Sequence, residues 1–181
     1  MCSYRLALWF LAALLISSLA TAADPLSHQS EQLDVQLAPR TPQQMAAFYE
    51  ARGFGRDMID SLNEHCFITV AIHNKSADVI WLDLNQWHFK NAAGEVLRQD
   101  RVYWRERWNR MQIPLAHQST FRWTLLPEQL DFRPGEYEGG NITLPRLGKP
   151  MTITAQFYPD EQRNGTPITV KFDNVQCAEN P

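Results

Sequence analysis

From Cys66 onward the apolar residues fall at every second position, and this constrains the chain more than any other feature. Cys66, Ile68, Val70 and Ile72 share one side of an extended segment, with Thr69, Ala71 and His73 on the other. Ile80, Leu82 and Leu84 alternate with Trp81 and Asp83, and Trp87 and Phe89 continue to a turn at Asn91–Gly94. Phe121, Trp123 and Leu125 repeat the pattern, as do Met151, Ile153, Ala155 and Phe157, and then Ile168, Val170 and Phe172. A period of two places alternate side chains on opposite faces of a strand. Strands with one apolar and one mostly polar face belong to antiparallel sheets with one side wet. Six or seven of them separated by turns predict a mainly β fold, an antiparallel β-sandwich spanning residues 65–181.

The chain before Cys66 reads differently. Arg5 precedes an unbroken apolar run, Leu6–Ile16, and then Ala20-Thr21-Ala22. A basic start, a short apolar stretch and an A-x-A site make residues 1–22 a secretory signal peptide. The run is shorter than the roughly 20 residues needed to span a bilayer. Cleavage after Ala22 would leave 159 residues with a net charge of −4 and no stable membrane insertion. Residues 23–40 hold few apolar side chains and are expected to be an extended or mobile lead-in. Thr41-Pro42 then supplies an N-cap and a proline at the first helical position. Met45, Phe48 and Tyr49 share a helical face, and Gly53 ends the segment. Arg56–Glu64, with Met58, Ile59 and Leu62 inward, predicts a second helix, so residues 41–64 form a short N-terminal helical hairpin before the sandwich.

Loss of the signal also reduces three cysteines to two, Cys66 and Cys177. A pair of cysteines in an exported chain reads as a disulfide. A loop of about 110 residues closed this way stabilises by on the order of 4 kcal/mol in the chain-entropy view. The rival reading is a free thiol paired with a histidine, but His65 is adjacent in sequence and points to the other side of a strand. Three Asn-x-Ser/Thr sequons, at Asn74, Asn141 and Asn164, would matter in a eukaryotic secretory pathway. The short signal and plain cleavage site point instead to a bacterial periplasmic or secreted protein.

The stretch Leu130-Asp131-Phe132-Arg133-Pro134-Gly135-Glu136-Tyr137 resembles the tyrosine corner of fibronectin type III and related immunoglobulin-like domains, as in bacterial exported sandwich modules. Pro134 and Gly135 match its turn, and Tyr137 its tyrosine. The cysteine spacing departs from that of true immunoglobulin domains. The resemblance implies an immunoglobulin-like sandwich and a binding, adhesion, chaperone or inhibitor role.

Neither composition nor motif points to catalysis. A net charge of −3 gives no general attraction to nucleic acid, and 44% hydrophobic residues with 9 Phe, 6 Trp and 5 Tyr exclude a disordered or collagen-like chain. G-x-S-x-G, H-E-x-x-H, C-x-x-C and phosphate-binding glycine loops are all missing from the sequence. Gly139-Gly140 is read as a turn. A copper carrier would draw on histidines and methionines, with His73 and His88 facing each other across neighbouring strands, yet no two histidines have ligand spacing.

The unusual segment is Arg98–Met111 (RQDRVYWRERWNRM), with five arginines and two tryptophans. A short helix aligns Trp104, Trp108 and Met111, with Arg101 and Arg105 flanking the indoles. Indole supplies area and stacking, and guanidinium pairs bidentately with carboxylate or phosphate. Arg101, Trp104, Arg105 and Trp108 are therefore the candidate binding residues. The other reading of this segment is a crossover whose tryptophans plug one end of the sandwich. The functional expectation is a non-catalytic exported binding or accessory protein acting through protein–protein contacts, on an envelope protein or an anionic glycan, without a cofactor. A periplasmic copper carrier and a sandwich-type protease inhibitor are the alternatives.

Overall fold

The computed structural model describes residues 26–180, so the signal-peptide reading of residues 1–22 lies outside the described residues. In chain order the elements are β1 Leu26–Gln29, β2 Leu33–Arg40, α1 Pro42–Glu50, α2 Arg56–Asn63, β3 His65–Asn74 and β4 Ile80–Asp83. A 3-10 turn (Leu84–Gln86) then leads into β5 His88–Asn91 and β6 Gly94–Glu95. After these come α3 Arg101–Arg110, α4 Leu115–Thr124, β7 Gln129–Phe132, β8 Tyr137–Pro145, β9 Met151–Tyr158 and β10 Ile168–Val175. The fold is mainly β. One antiparallel sheet runs β1-β2-β3-β8. In the other, β9 lies between β10 and the broken strand β4–β5, with β7 beside β4 and β6 beside β5.

The inward faces are the residues that alternate in the sequence. Leu33, Val35 and Leu37 of β2 and Ile68, Val70 and Ile72 of β3 join Leu82, Ile153, Ala155 and Phe157 in one apolar cluster, each 0% exposed. Burying a side chain of this size contributes about 1.5–3 kcal/mol. The stretch expected to be an extended or mobile lead-in is extended, and its second half is a core strand. Its three apolar residues are few, but they sit at period two and pair in register with β3.

Part of the outer face of the first sheet is covered rather than wet: Phe67 and Thr143 are buried there, while Gln36 and Tyr137 stay exposed. Helices α1 to α4 lie against it and share a second cluster of Met45, Tyr49, Leu62, Phe67, Trp104 and Phe121, among others. Helix α1 forms as its sequence suggests: Gln44 N–H donates to Thr41 Oγ1 at 3.1 Å, and Thr41 N–H donates to Gln44 Oε1 at 3.0 Å. Gly53 follows it with φ +79°, the left-handed conformation that suits glycine. One expected strand is not a strand. Phe121–Leu125 closes α4, where Phe121 is buried and Trp123 is 79% exposed. Positions 121 and 125 are equivalent on a helix face and on a strand face, so five residues of alternation did not discriminate.

Asn74, 0% exposed at the end of β3, joins the two sheets. Its Nδ2 donates to Phe132 O of β7 at 2.8 Å and to Asp78 O at 2.7 Å. Its Oδ1 accepts from Ser76 N–H at 2.9 Å and Ser76 Oγ at 2.8 Å. Its main-chain oxygen accepts from Gly135 N–H at 2.8 Å. Gly135 has φ +79° in the turn Arg133–Glu136, closed by Glu136 N–H to Arg133 O at 3.0 Å, so Pro134 and Gly135 fill the places of a type II turn. Tyr137 does not complete a tyrosine corner. Its ring is 63% exposed beside His73, and among the described residues its hydroxyl has no hydrogen-bond partner. Burial also removes Asn74 and Asn141 as glycan acceptors: Asn141, 8% exposed, spends its Oδ1 on Thr69 Oγ1 at 2.8 Å.

Gly139-Gly140 is not a turn either, since both residues lie within β8. The chain leaving α4 crosses directly over Gly140, where Leu126 N–H donates to Asn141 O at 3.0 Å. A Cβ at residue 140 would stand 2.5 Å from Leu126 N and 2.6 Å from its Cα. Cys66 and Cys177 form the expected disulfide, with a Cα–Cα distance of 5.4 Å. Beside it the Arg146 guanidinium donates to Asn63 O, His65 O and Ala178 O and pairs with Glu179, which moors the C-terminal segment.

Two stability predictions follow from these contacts. Asn74→Ala takes the side-chain donor from the buried Phe132 carbonyl and unties the Ser76–Asp78 turn, and it should cost about 1–3 kcal/mol in urea unfolding. Gly140→Ala should cost about 1–3 kcal/mol by forcing two backbone segments apart.

Candidate functional site

Helix α3 begins at Asp100, whose side chain accepts Tyr103 N–H at 2.7 Å, and it ends with Arg107 and Arg110 near its negative C-terminal pole. Trp104 and Trp108 lie one turn apart with ring centroids 5.0 Å apart and planes at 29°. Phe121 of α4 packs 4.7 Å from Trp104 and 5.2 Å from Trp108. Trp104 Nε1 donates to Thr143 Oγ1 of β8 at 2.7 Å. Both indoles are 1% exposed. Their expected role as an exposed contact surface is therefore corrected: they are the aromatic centre of the helix layer, because the outer face of β3 and β8 needs a cover.

They nevertheless floor a cleft. Between α3 and α4 lies a solvent-open space of about 510 Å³. Arg101, Val102 and Arg105 line it from α3, and Leu115, Ser119 and Arg122 from α4. All four sequence candidates thus border one cleft, two as floor and two as wall. Its α4 side is masked in the sequence because Phe121–Leu125 alternates as a strand does. The signal that finds it is Leu115, Ser119 and Arg122 at helical spacing.

The five arginines of the segment divide into groups. Arg98 holds Glu128 in a bidentate pair, and Arg107 pairs with Glu64 and donates to Ser61 Oγ. Arg110 is exposed. Arg101 and Arg105 border the cleft, where the third arginine is Arg122. Arg101 Nη2 reaches Leu125 O at 3.4 Å, and its Nε is buried without an acceptor among the described residues, as is Trp108 Nε1. Burial pulls the Arg101 guanidinium below its ordinary range; Glu128 counters this, while Arg122 and Arg98 add to it. It remains charged at neutral pH.

Behind the cleft, His65 is 4% exposed. Its Nδ1–H donates to Ser61 O at 2.9 Å, and its Nε2 accepts from Tyr103 O–H at 2.7 Å. Its ring centroid is 4.6 Å from that of Trp104. Burial pulls its pKa below the ordinary 6.5, and Arg107 and Arg146 reinforce this against the opposing pull of the Ser61 carbonyl and Glu64. His73 and His88 do not meet, since β3 and β5 belong to different sheets. His73 lies 4.0 Å from Asp34, and His88 lies 3.4 Å from Glu95. Among the described residues no three His, Cys, Asp or Glu side chains gather as a metal site would require.

No protein-family model matches this chain, and no curated protein does. Two solved structures are similar to it. The ycdA protein of Bacillus subtilis subsp. subtilis str. 168, described as a "putative lipoprotein", superposes with a TM-score of 0.43 at 12% identity, over 82% of this chain and 38% of that one. The chain therefore spans well under half of the ycdA protein. The yjhA protein of Bacillus subtilis superposes with a TM-score of 0.47 at 8% identity, over 83% of this chain and 96% of that one.

The His65 geometry makes stability depend on pH. An unfolded histidine takes up a proton near pH 6.5, whereas the folded one resists until lower pH. The unfolded state then binds more protons, so this contribution is complete above about 6.5 and declines as pH falls below it. Wild type should lose melting temperature relative to His65→Gln between about pH 6.5 and 5, read by thermal melts; a constant difference between the two would refute the assignment.

Proposed function

We propose that this protein is a non-catalytic binding or accessory protein of the cell envelope, exported by its N-terminal signal and acting through protein–protein contacts. The observation that carries the reading is the α3–α4 cleft, with arginine walls, an aromatic floor and apolar side chains at its rim. Leu115 is 80% exposed and Val102 46%. Exposed apolar groups around a partly apolar depression favour a macromolecular partner, whose burial of the rim excludes water from the contact. The paired cysteines support an oxidising compartment. Among the described residues no helix is long and apolar enough to cross a membrane.

The scaffold is immunoglobulin-like on this reading. Strand order supports it: β2, β3 and β8 take the A, B and E places of one sheet, and β4–β5, β9 and β10 the C, F and G places of the other. Strand β7 stands beside β4 as C′ does beside C. The α1–α2 pair, expected as a hairpin ahead of the sandwich, is then an insertion between A and B, and α3–α4 an insertion between C and C′.

The test uses mild crosslinking in the native envelope. The wild-type protein should recover one reproducible protein, and an Arg105→Glu/Leu115→Asp double variant with unchanged melting temperature should lose it. Recovery of the wild type alone refutes the accessory role.

A further inference from the structure

The charges that line the cleft have one sign. Arg101, Arg105 and Arg122 border it, and among the described residues its lining includes no Asp or Glu. This occurs in a chain whose net charge is −3, so the positive patch is local rather than a reflection of general basicity. Within it Arg101 is under-compensated. Its Nη2 has one long contact, at 3.4 Å to Leu125 O, and its Nε has no acceptor among the described residues. The nearest carboxylate, Glu128, already accepts two bonds from Arg98 and the main-chain N–H of Arg101 at 3.3 Å. Burial disfavours the Arg101 charge most, Glu128 offsets part of this, and the neighbouring Arg122 and Arg98 add to it. A partly desolvated cation whose neighbouring carboxylate is already engaged by Arg98 is costly, and an incoming anion relieves that cost.

The apolar part of the lining restricts which anion fits. Trp104, Trp108, Phe121 and Leu125 floor the space, and about 510 Å³ is enough for a few side chains rather than a whole helix. An inorganic anion would leave this floor wet. Nucleic acid meets too few positive charges here to be held along a backbone.

We infer that the α3–α4 cleft is the docking site for an acidic peptide segment of the partner protein, one whose carboxylates flank one or two bulky apolar side chains. The carboxylates meet Arg101, Arg122 and Arg105 in charge-assisted bonds, and the apolar side chain lies on the aromatic floor between Val102 and Leu115. This inference rests on the binding role proposed above and names the chemistry that the cleft selects.

The experiment is fluorescence polarisation with labelled ten-residue peptides that alternate Glu with Leu and Phe, beside versions with every Glu replaced by Gln or by Lys. Vesicles of phosphatidylglycerol serve as the other anionic surface. The Glu peptide should bind, and the Gln peptide should bind at least tenfold more weakly. The Lys peptide should not bind, and raised salt should weaken the Glu peptide. Arg122→Gln and Arg105→Gln, on exposed positions, should each reduce affinity about tenfold, the loss of one bond to a charged group. Lys90→Gln, which removes the same charge from β5 in the other sheet, should leave affinity unchanged. Arg101→Gln should do the most harm, and the Arg122 and Arg105 variants keep the test valid if it fails to fold. Equal binding of Glu and Gln peptides, indifference to both exposed arginines, or binding to vesicles alone overturns the inference. A partner captured from the envelope equally well by wild type and by Arg122→Gln also overturns it, while leaving the accessory role standing. Peptide binding without any captured partner would uphold the cleft chemistry and remove the accessory role.

Discussion

The first half of strand β3 is buried on both faces, and the rest of the molecule is arranged around that constraint. Toward the second sheet it presents Cys66, Ile68, Val70 and Ile72; toward the helices it presents His65 and Phe67, each of these residues 4% exposed or less. A strand in the middle of three layers must have hydrogen-bonding neighbours along both edges, because its main chain has no access to water. β2 and β8 fill these places in continuous register. Its two ends are then fixed by side chains. Cys66 is bonded to Cys177, and Asn74 reaches across to β7. Removal of any one of these would expose the central strand to slippage, and a shift of one residue exchanges its two faces.

The sandwich was legible in the sequence, and so was the first helix. Alternation in Cys66–Ile72, Met151–Phe157 and Ile168–Phe172 corresponds to β3, β9 and β10 because each has a strictly apolar inward face. Thr41-Pro42 marked the start of α1 because capping is local chemistry. The pairing of Cys66 with Cys177 was legible from counting. What escaped was everything decided by the third layer. Thr69 reads as part of a wet face, yet it hydrogen-bonds Asn141, and Thr143 of β8 accepts the Trp104 indole N–H beneath the helices. Phe121–Leu125 was ambiguous between periods. Gly139-Gly140 carries no local sign that another backbone segment passes over it.

The candidate site shows the same division. The arginine–tryptophan segment singled itself out by composition, and its helical spacing was readable. Which side of the indoles faced water was not, since this depends on the sheet below. Burial of Trp104 and Trp108 does not remove them from the site; it makes them a rigid floor. A floor held by stacking and by the Trp104–Thr143 bond loses little side-chain entropy when a ligand covers it. The exposed part of the cleft is Arg105 and Arg122 on its wall, and on the proposed reading complementarity of charge rather than reshaping of the floor sets what it accepts.

The helix layer is assembled from two segments far apart in the chain, α1–α2 and α3–α4, yet it has one aromatic core. Tyr49 bonds Thr124 across 75 residues at 2.6 Å, and Arg107 reaches back to Ser61 and Glu64. In energetic terms the two segments are a single unit that the sequence happens to divide. Loss of either would leave the other's aromatic side chains facing water on an uncovered sheet. A variation in the length of one segment is therefore tolerated only when the other changes with it, and the pair should be gained or lost in descent as one event.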